Sequence, residues 1–235
     1  MNRKVVYTAI FGNKDTLKDP LHTDVDCDYV CFTDSESLKS DVWKVVKVDP
    51  IDEDPVRSAK IYKVNPHLFL SEYNTSMWID ANFLVCSSLS SFFQILGPQA
   101  NMLTFQHDQG RNCIYDEAEI IISHQKDDPA KVREQMNKYK KDNYPKDLGL
   151  TANSVLLRRH NEEDIVDLMT AWWKEIEKWW SEYQYNSRRD QLSFYYCKWK
   201  LDTKMFMLKY PNYNIRFNNW FRWLPHNYES QPWSF

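Results

Sequence analysis

Apolar runs separated by short polar segments make up much of the first half of the chain, and this pattern predicts buried β-strands. The first run spans residues 4–11 and ends at Gly12-Asn13, which is typical of a strand followed by a tight loop. Residues 28–34, 42–48 and 101–106 repeat the pattern. Polar side chains follow these strands, and the alternation of strands with short helical segments predicts an open α/β sheet.

Helices are predicted by capping residues and by apolar positions spaced three and four apart. Asp54-Pro55 and Asp128-Pro129 each set an N-capping Asp before a Pro, and a capping-box-like start at Asn161 precedes a longer helix. Further helices are predicted at residues 87–96 and 116–124 and from Ser187 onward. We interpret the aromatic stripe of the Asn161 helix as core, because such stripes are more often buried than ligand-binding. Its members are Ile165, Leu168, Met169, Trp172, Ile176, Trp179, Trp180 and Tyr183.

Composition narrows the class of protein. The chain has 235 residues, of which 43% are hydrophobic and 15% aromatic, enough for a substantial core in one domain. Its formal charge of -3 gives no general attraction to nucleic acid. No apolar stretch is long enough to span a membrane, so we expect a cytoplasmic protein, with peripheral membrane association left open. The five scattered cysteines predict free thiols.

Asp80 and Asn82 are the strongest candidates for chemistry. They follow the buried run at residues 77–79 and are separated by one small residue, so both oxygen-bearing side chains can face one point. Oxygen ligands suit a hard cation such as Mn²⁺ or Mg²⁺, and a hard cation suits a phosphate. The alternative is that Asp80 and Asn82 only form a turn between two strands, since both are turn formers.

Several short motifs, taken in order, make the chain resemble GT-A glycosyltransferases. More closely, it is similar to the glycosyltransferase-like domain family of plant mucilage-related proteins and bacterial polysaccharide loci. The resemblance covers nearly the whole chain. Its motifs are Tyr7-Thr-Ala-Ile-Phe-Gly12, Tyr29-Val-Cys-Phe-Thr-Asp34, Arg57-x-x-Lys60-x-Tyr62-Lys63-x-x-Pro66-His67, Trp78-Ile-Asp-Ala-Asn82, Gln106-His-Asp108 through Tyr115-Asp-Glu117, and Arg188-Arg-Asp-Gln-Leu-Ser-Phe194.

The resemblance implies a single GT-A-like domain over residues 1–235, with a mixed, mostly parallel sheet flanked by helices. Residues 1–110 would form a Rossmann-like nucleotide-binding half. Residues 111–235 would form the acceptor and sugar half, with a metal-site tail at the C-terminus. The loop from Thr8 through Phe11 to Gly12, with Asp34, would hold the nucleoside. Arg57 and Lys60 would face the diphosphate.

The resemblance also implies a metal site. Asp80 and Asn82 occupy the place of the family's metal-binding Asp-x-Asp motif, and the Asn removes one charge that such a motif normally carries. His226 resembles a late histidine that completes the metal shell in related enzymes. A cation held by these residues, with Arg57 and Lys60 beside it, would stabilise the charge that develops on a departing diphosphate.

Four more residues are candidates for the sugar side of the site. Asp190 begins a helix, where the helix dipole stabilises a carboxylate whether or not it does chemistry. It would act as a base toward the acceptor hydroxyl or as an anchor for donor hydroxyls, and the sequence leaves both roles open. Gln191 follows it, and His107 and Asn153 would line the sugar from strand ends.

The sequence and the resemblance therefore predict an enzyme, a metal-assisted glycosyltransferase of the hexosyltransferase class. It would move a sugar from a nucleotide-sugar donor to a glycan or other hydroxyl acceptor in polysaccharide biosynthesis. A UDP-sugar is the favoured donor. The alternative is a catalytically inactive nucleotide- or sugar-binding module on the same scaffold. A metal-dependent phosphoesterase is disfavoured, because a two-metal site would want more than the one carboxylate of the Asp80 motif.

Overall fold

The computed structural model describes residues 3–108, 110–177 and 186–227. Within these ranges the strands are β1 (Lys4–Ile10), β2 (Cys27–Thr33), β3 (Lys44–Lys47), β4 (Thr75–Ile79), β5 (Phe83–Val85), β6 (Met102–Gln106), β7 (Thr151–Arg158), β8 (Phe206–Leu208) and β9 (Phe221–Trp223). The helices are α1 (Pro55–Val64), α2 (Pro66–Phe69), α3 (Ser90–Ile95), α4 (Ile114–Ser123), α5 (Pro129–Lys141), α6 (Glu163–Ile176) and α7 (Asp190–Leu201).

The central sheet is mixed and mostly parallel, as predicted. Its seven strands lie in the order β3-β2-β1-β4-β7-β6-β8. β7 runs antiparallel to both of its neighbours, β4 and β6. Because β7 lies between two strands from the first half of the chain, the two predicted halves share one sheet.

Alternating side chains on the sheet divide the core into two layers. Tyr7, Trp78 and Leu156 face the layer that packs against α1 and α4 to α7. Their neighbours Val6 and Met77 face the layer that contains α3, β5 and β9. The sheet is therefore covered on both faces, which is why its central strands are apolar at nearly every position.

The predicted helix starts are confirmed at two places and corrected at two. The side chains of Asp54 and Asp128 accept hydrogen bonds from the backbone N–H two residues on, at 2.9 and 2.8 Å. Asn161 does not cap α6; its side-chain amide donates instead to the backbone carbonyls of Ser71 and Tyr73. The last helix begins at Asp190 rather than at Ser187.

The aromatic stripe of α6 is core as far as it is described. The five stripe residues from Ile165 to Ile176 are buried, whereas Trp179, Trp180 and Tyr183 lie outside the described residues. All five cysteines are free, as expected. Within the described ranges no helix has both the length and the apolar composition needed to cross a membrane.

Candidate active site

A cleft of about 400 Å³ opens at the carboxyl ends of β1 and β4. Ligands of open α/β sheets bind at this edge, because the strand ends and the loops that follow them converge there. The walls come from the end of β1, the turn after β4, one face of α1 and the start of α7. The charged side chains that line the cleft are Lys14, Asp15, Lys60, Lys63, Asp80, Arg189 and Asp190.

Two lysines and one aspartate form the buried wall of the cleft. Lys60 Nζ lies 2.7 Å from Asp190 Oδ1, and Lys63 Nζ lies 2.7 Å from Asp190 Oδ2. The lysines are three residues apart, so both project from the same face of α1. Because two ammonium groups share a single carboxylate, this wall carries a net positive charge.

The three groups alter one another's pKa values. Burial alone would raise the pKa of Asp190, but the two ammonium groups hold it well below its usual range. Burial, reinforced by repulsion from Lys63, lowers the pKa of Lys60 to about 8. Burial also opposes the charge on Lys63, but Asp190 and Asp80 together raise its pKa. A carboxylate with so low a pKa is a weak proton acceptor, which argues against the general-base role of Asp190.

Buried groups behind the wall fix the position of Lys63. The guanidinium of Arg158, which is fully buried, donates to the backbone carbonyl of Lys63 at 2.9 Å and to the hydroxyl of Tyr7. The Tyr7 hydroxyl donates to the same carbonyl at 3.0 Å. These contacts hold the last turn of α1 against β1 and β7, and so they set where the Lys63 side chain enters the cleft.

Asp80 lies opposite, at the end of β4. Its Oδ1 accepts a hydrogen bond from the indole N–H of Trp78 at 2.7 Å and lies 3.5 Å from Lys63 Nζ. The Trp78 ring packs edge-on against Tyr7, with ring centroids 5.3 Å apart. The structure therefore orients the Asp80 carboxylate, which is 34% exposed and faces the cleft, as does the buried side chain of Asn82.

The C-terminal segment brings His226 to the same cleft. β9 pairs antiparallel with β5, and the Leu224 N–H donates to the Asn82 carbonyl at 2.8 Å. His226 lies two residues further on, with its Nδ1 2.7 Å from Asp15 Oδ2. The pairing of β5 with β9 thus brings Asn82 and His226 to one cleft, although more than 140 residues separate them in the sequence.

The donor set for an ion in the cleft is small. Among the described residues, one group of three Cys, His, Asp or Glu side chains has ligand atoms within 4.8 Å of one another. It consists of Cys113, Asp116 and Asp147, which do not line the cleft. Asp80 and Asn82 supply the oxygen donors that a hard cation would need there, and His226 supplies a nitrogen.

The predicted nucleoside residues take different positions. Phe11 borders the cleft and Thr8 lies inside the sheet, and both residues are buried, each 1% exposed. The Asp34 carboxylate accepts the Gly12 N–H at 3.0 and 3.1 Å, so it shapes the loop after β1 rather than facing the cleft. Gly12 has a φ of +58°, and a Cβ there would lie 3.0 Å from Pro55 Cβ. A side chain here would be strained by the positive φ and would press against Pro55, which favours glycine at this position.

Arg57 lies outside the cleft, although it was predicted to face the diphosphate. Its guanidinium is buried and donates to the backbone carbonyls of Ile176 and Asn186, the latter at 3.0 Å. Each step of three residues along a helix falls about 60° short of a full turn, so Arg57 lies about 120° around α1 from Lys63 and projects toward α6 instead of toward β4.

The predicted sugar-side residues divide between the cleft and its neighbour. Asn153 lines the cleft and is 2% exposed, and its Nδ2 has no hydrogen-bond partner in the described part of the chain. Gln191 also lines the cleft, and its amide donates to the Thr151 carbonyl at 3.2 Å. His107 lies in an adjacent pocket, where burial lowers its pKa.

Among the cleft residues that the sequence-based prediction of the site omitted, Lys63, Arg189 and Trp78 are the most informative. Lys63 was detectable, because it lies one turn beyond Lys60 on the same helix face. Arg189 was adjacent to Asp190 in a recognised motif. The role of Trp78 was not detectable, since an apolar residue inside a buried strand gives no sign that its N–H meets Asp80.

Two of three comparisons with known proteins found glycosyltransferases or glycosyltransferase-like domains. A family model described as TOD1/MUCI70, glycosyltransferase-like domain, matches residues 1–219. A search of curated proteins found no match. Among solved structures, apo mouse xyloside xylosyltransferase 1 aligns with a TM-score of 0.50 at 9% identity, covering 88% of this chain and 85% of that one.

Two further structures align less closely. A glycosyltransferase involved in glycosylation of the major capsid of PBCV-1 has a TM-score of 0.44 at 10% identity, over 88% of this chain and 82% of that one. The galactosyltransferase LgtC, in complex with donor and acceptor sugar analogs, has a TM-score of 0.44 at 12% identity, over 82% and 70%. The likeness to the xylosyltransferase establishes the fold, and the predicted GT-A architecture is confirmed.

Proposed function

Because this chain belongs to the TOD1/MUCI70 glycosyltransferase-like domain family, we propose that it transfers a sugar from a nucleoside diphosphate donor to a hydroxyl acceptor. The donor proposed is a UDP-hexose, the acceptor is a glycan, and the product belongs to polysaccharide biosynthesis. One observation carries the proposal: Lys60 and Lys63 meet Asp80 in a single cleft at the carboxyl edge of the sheet.

The lysines suit the charge that develops in such a reaction. When the bond between the sugar and the diphosphate breaks, negative charge accumulates on the departing phosphate oxygens. Asp190 holds the ammonium groups of Lys60 and Lys63 in place in a buried, low-dielectric wall. They therefore need little reorganisation to interact with the charge on the phosphate. Groups arranged in advance in this way stabilise the transition state more than the same groups would in water.

A divalent cation, Mn²⁺ or Mg²⁺, belongs to the proposal. Asp80 and Asn82 would hold it through their side-chain oxygens, and His226 would offer Nε2, since its Nδ1 faces Asp15. When bound, such an ion supplies a Lewis acid for the diphosphate. The residues fit because the Asp80 carboxylate is oriented by Trp78 while remaining accessible from the cleft.

Other residues would bind the rest of the donor. Phe11 borders the space proposed for the nucleoside although its ring is buried, and Asp34 keeps the Gly12 loop in place beside it. On the sugar side, the Nδ2 of Asn153, which has no hydrogen-bond partner among the described residues, is a donor for a sugar hydroxyl, and Gln191 lies beside it. A buried amide without a partner is costly, so a ligand that accepts its hydrogen bond gains affinity.

The reaction balances without a further co-reactant. The acceptor hydroxyl oxygen forms a bond with the anomeric carbon, and the bond between that carbon and the diphosphate oxygen breaks. The diphosphate leaves with the bonding electrons, and the hydroxyl proton passes to solvent. Asp190 keeps the lysines in position during this exchange and does not take the proton.

The test is a titration of UDP and GDP with and without Mn²⁺, followed by an assay for release of nucleoside diphosphate from a panel of UDP-hexoses. We expect UDP to bind, to bind more tightly with Mn²⁺, and to be released from at least one donor. Asp80→Ala should lower the rate of release about 100-fold while the protein stays folded.

Two results would contradict the proposal in different ways. Binding of UDP without release from any donor, with acceptors present, would indicate the inactive binding module. If no nucleotide binds with or without metal, the cleft is not a site for a nucleotide-sugar donor. Arg133→Ala, on the exposed surface of α5, is the control for handling of the variant proteins.

A further inference from the structure

A second pocket of about 320 Å³ adjoins the cleft. Ser154, Arg189 and Gln191 line both cavities, so they form a shared wall. A ligand in the second pocket would therefore lie directly beside a donor sugar in the cleft. Its volume is within the range of about 300–1,000 Å³ that is usual for small-molecule sites.

The acidic side chains of this pocket already have arginine partners. Glu117 Oε2 lies 2.7 Å from Arg111 Nε, and Asp108 forms an ion pair with Arg216. His107 lies between the two pairs, with Nε2 3.2 Å from Arg111 Nη2. These contacts leave the two carboxylates with little capacity to attract a cationic ligand.

The remaining charge of the pocket is positive. Four cationic side chains line it, namely those of Arg111, Lys126, Arg189 and Arg216, against the two carboxylates. With the histidines neutral, the pocket has a formal charge of +2, whereas the whole chain has a formal charge of -3. A local charge opposite in sign to that of the protein is a feature of sites that select ligands by charge.

Arg189 is the most informative of these cations. No carboxylate of the described residues lies within ion-pair distance of it, and its Nε is buried without a hydrogen-bond partner. Its neighbour Arg188, in contrast, is paired with Asp54 Oδ2 at 3.0 Å. A partly buried guanidinium without a protein partner is costly, and this cost is relieved when a ligand supplies the missing acceptor.

The rim of the pocket is apolar on one side. Trp223, at the end of β9, is 38% exposed. The Cζ atom of Arg216 lies over its indole ring, 5.3 Å from the ring centroid. An indole held in this way offers a flat apolar surface with a polar edge, which suits the mixed character of a sugar ring. The pocket thus combines one cationic group at the shared wall, Arg189, and three elsewhere in its lining with an aromatic surface at the rim.

We infer that the second pocket binds the acceptor, and that this acceptor is a sugar carrying an anionic group, with Arg189 and Lys126 contacting the anion. This inference rests on the proposed function, because it assigns the acceptor of that same reaction. Carboxylate, phosphate and sulfate share the chemistry that these cations recognise.

The test measures binding and needs no turnover. Saturation-transfer NMR on the wild-type protein would compare methyl β-glucoside with methyl β-glucuronide, glucose 6-phosphate and glucose 6-sulfate, each with and without saturating UDP. We expect the anionic sugars to bind about tenfold more tightly than the neutral one. UDP should not displace them, since it occupies the cleft. The three anions distinguish a uronic acid from a phosphorylated or sulfated sugar as the preferred acceptor.

Two variants locate the effect. Arg189→Gln and Lys126→Gln should each reduce the preference for the anionic sugar several-fold, and Lys126 is exposed, so its variant should fold normally. Arg133→Gln, on the exposed face of α5, is the matched control and should keep the preference. Equal binding of neutral and anionic sugars, displacement of the anions by UDP, or an unchanged preference in both variants would overturn the inference. Failure of UDP to bind would count against the proposed function alone.

Discussion

The two walls of the cleft differ in how firmly the protein holds them. The lysine wall is part of the core: the side chains of Lys60, Lys63 and Asp190 are 13%, 6% and 9% exposed. The opposite wall ends in His226, which is 71% exposed and is delivered by a C-terminal segment. A change in the lysine wall should therefore affect stability and activity together, whereas a change in the His226 wall should affect ligand binding alone.

The physical reason is desolvation. Charges removed from water depend on one another, and removing one partner of a buried set leaves the others uncompensated, at a cost of about 3–5 kcal/mol. The imidazole of His226 lies largely in solvent, and the buried Asp15 carboxylate that it contacts keeps its ion pair with Lys18, at 2.5 Å, when the imidazole is removed.

The largest effect is expected for Asp190→Asn. The substitution leaves two buried ammonium groups without their shared carboxylate, so the free energy of unfolding should fall by about 3–5 kcal/mol. Transfer should fall at least about 100-fold, because Lys60 and Lys63 lose their positions. Urea denaturation at pH 7 and release of nucleoside diphosphate would measure the two quantities.

A double substitution separates charge from packing in this prediction. Asp190→Asn with Lys60→Met removes one charge of each sign, so it should recover part of the lost stability while activity stays low. Loss of activity at full stability in the single variant would mean that Asp190 acts on the substrate directly. Loss of neither would mean that the lysine wall is an ordinary surface.

The second prediction uses the pKa of Lys60, which burial lowers to about 8. Below that pH the ammonium is charged and available to the diphosphate, and above it the amine is neutral. If chemistry limits the rate, kcat/KM should be about 30-fold lower at pH 9.5 than at pH 7. Lys60→Arg keeps its charge throughout this range, so it should abolish the alkaline decline.

The control for the pH profile is Lys146→Arg, an exposed position away from the cleft. It should leave the decline unchanged. A decline that persists in Lys60→Arg would assign the titration to another group. Lys63 is not expected to contribute, because Asp190 and Asp80 raise its pKa.

The third prediction concerns the exposed wall. His226→Ala should leave the midpoint of urea denaturation unchanged and should weaken Mn²⁺-dependent UDP binding about tenfold. Calorimetric titration with and without Mn²⁺ would show whether the loss is confined to the metal-dependent part. An equal loss in both titrations would mean that His226 contacts the nucleotide, and a large loss of stability would show that the C-terminal segment is as firmly held as the lysine wall.

The sequence was sufficient for the features that depend on local pattern. The Asp54 and Asp128 caps and the buried strand before Asp80 were all predicted, because each is encoded by a few adjacent residues. β9 was not predicted, because its three residues form a strand only through pairing with β5.

The site shows the same limit. The resemblance assigned Lys60 to the site and helical spacing could have added Lys63, but their shared contact with Asp190 joins residues about 130 positions apart. Arg57 belongs to the same motif, yet its guanidinium points to α6, a direction that depends on where α6 packs. Motif membership therefore identified which helix borders the cleft without showing which side chains enter it.

The smallest effect is expected where the two walls meet, at Trp78. Its indole N–H donates to Asp80 Oδ1, which is also the oxygen nearest Lys63, so Trp78→Phe removes one neutral donor and leaves the charges in place. A hydrogen bond of this kind contributes about 1 kcal/mol, so Mn²⁺-dependent UDP affinity should fall about fivefold.

Trp43→Phe is the matched control. The Trp43 indole N–H donates to the Lys18 carbonyl at 3.0 Å outside the cleft, so the loss of this hydrogen bond should affect stability without affecting affinity. A fall of 100-fold in Trp78→Phe would mean that the orientation of Asp80 depends on this one hydrogen bond, and that both walls of the cleft are fixed from within the core.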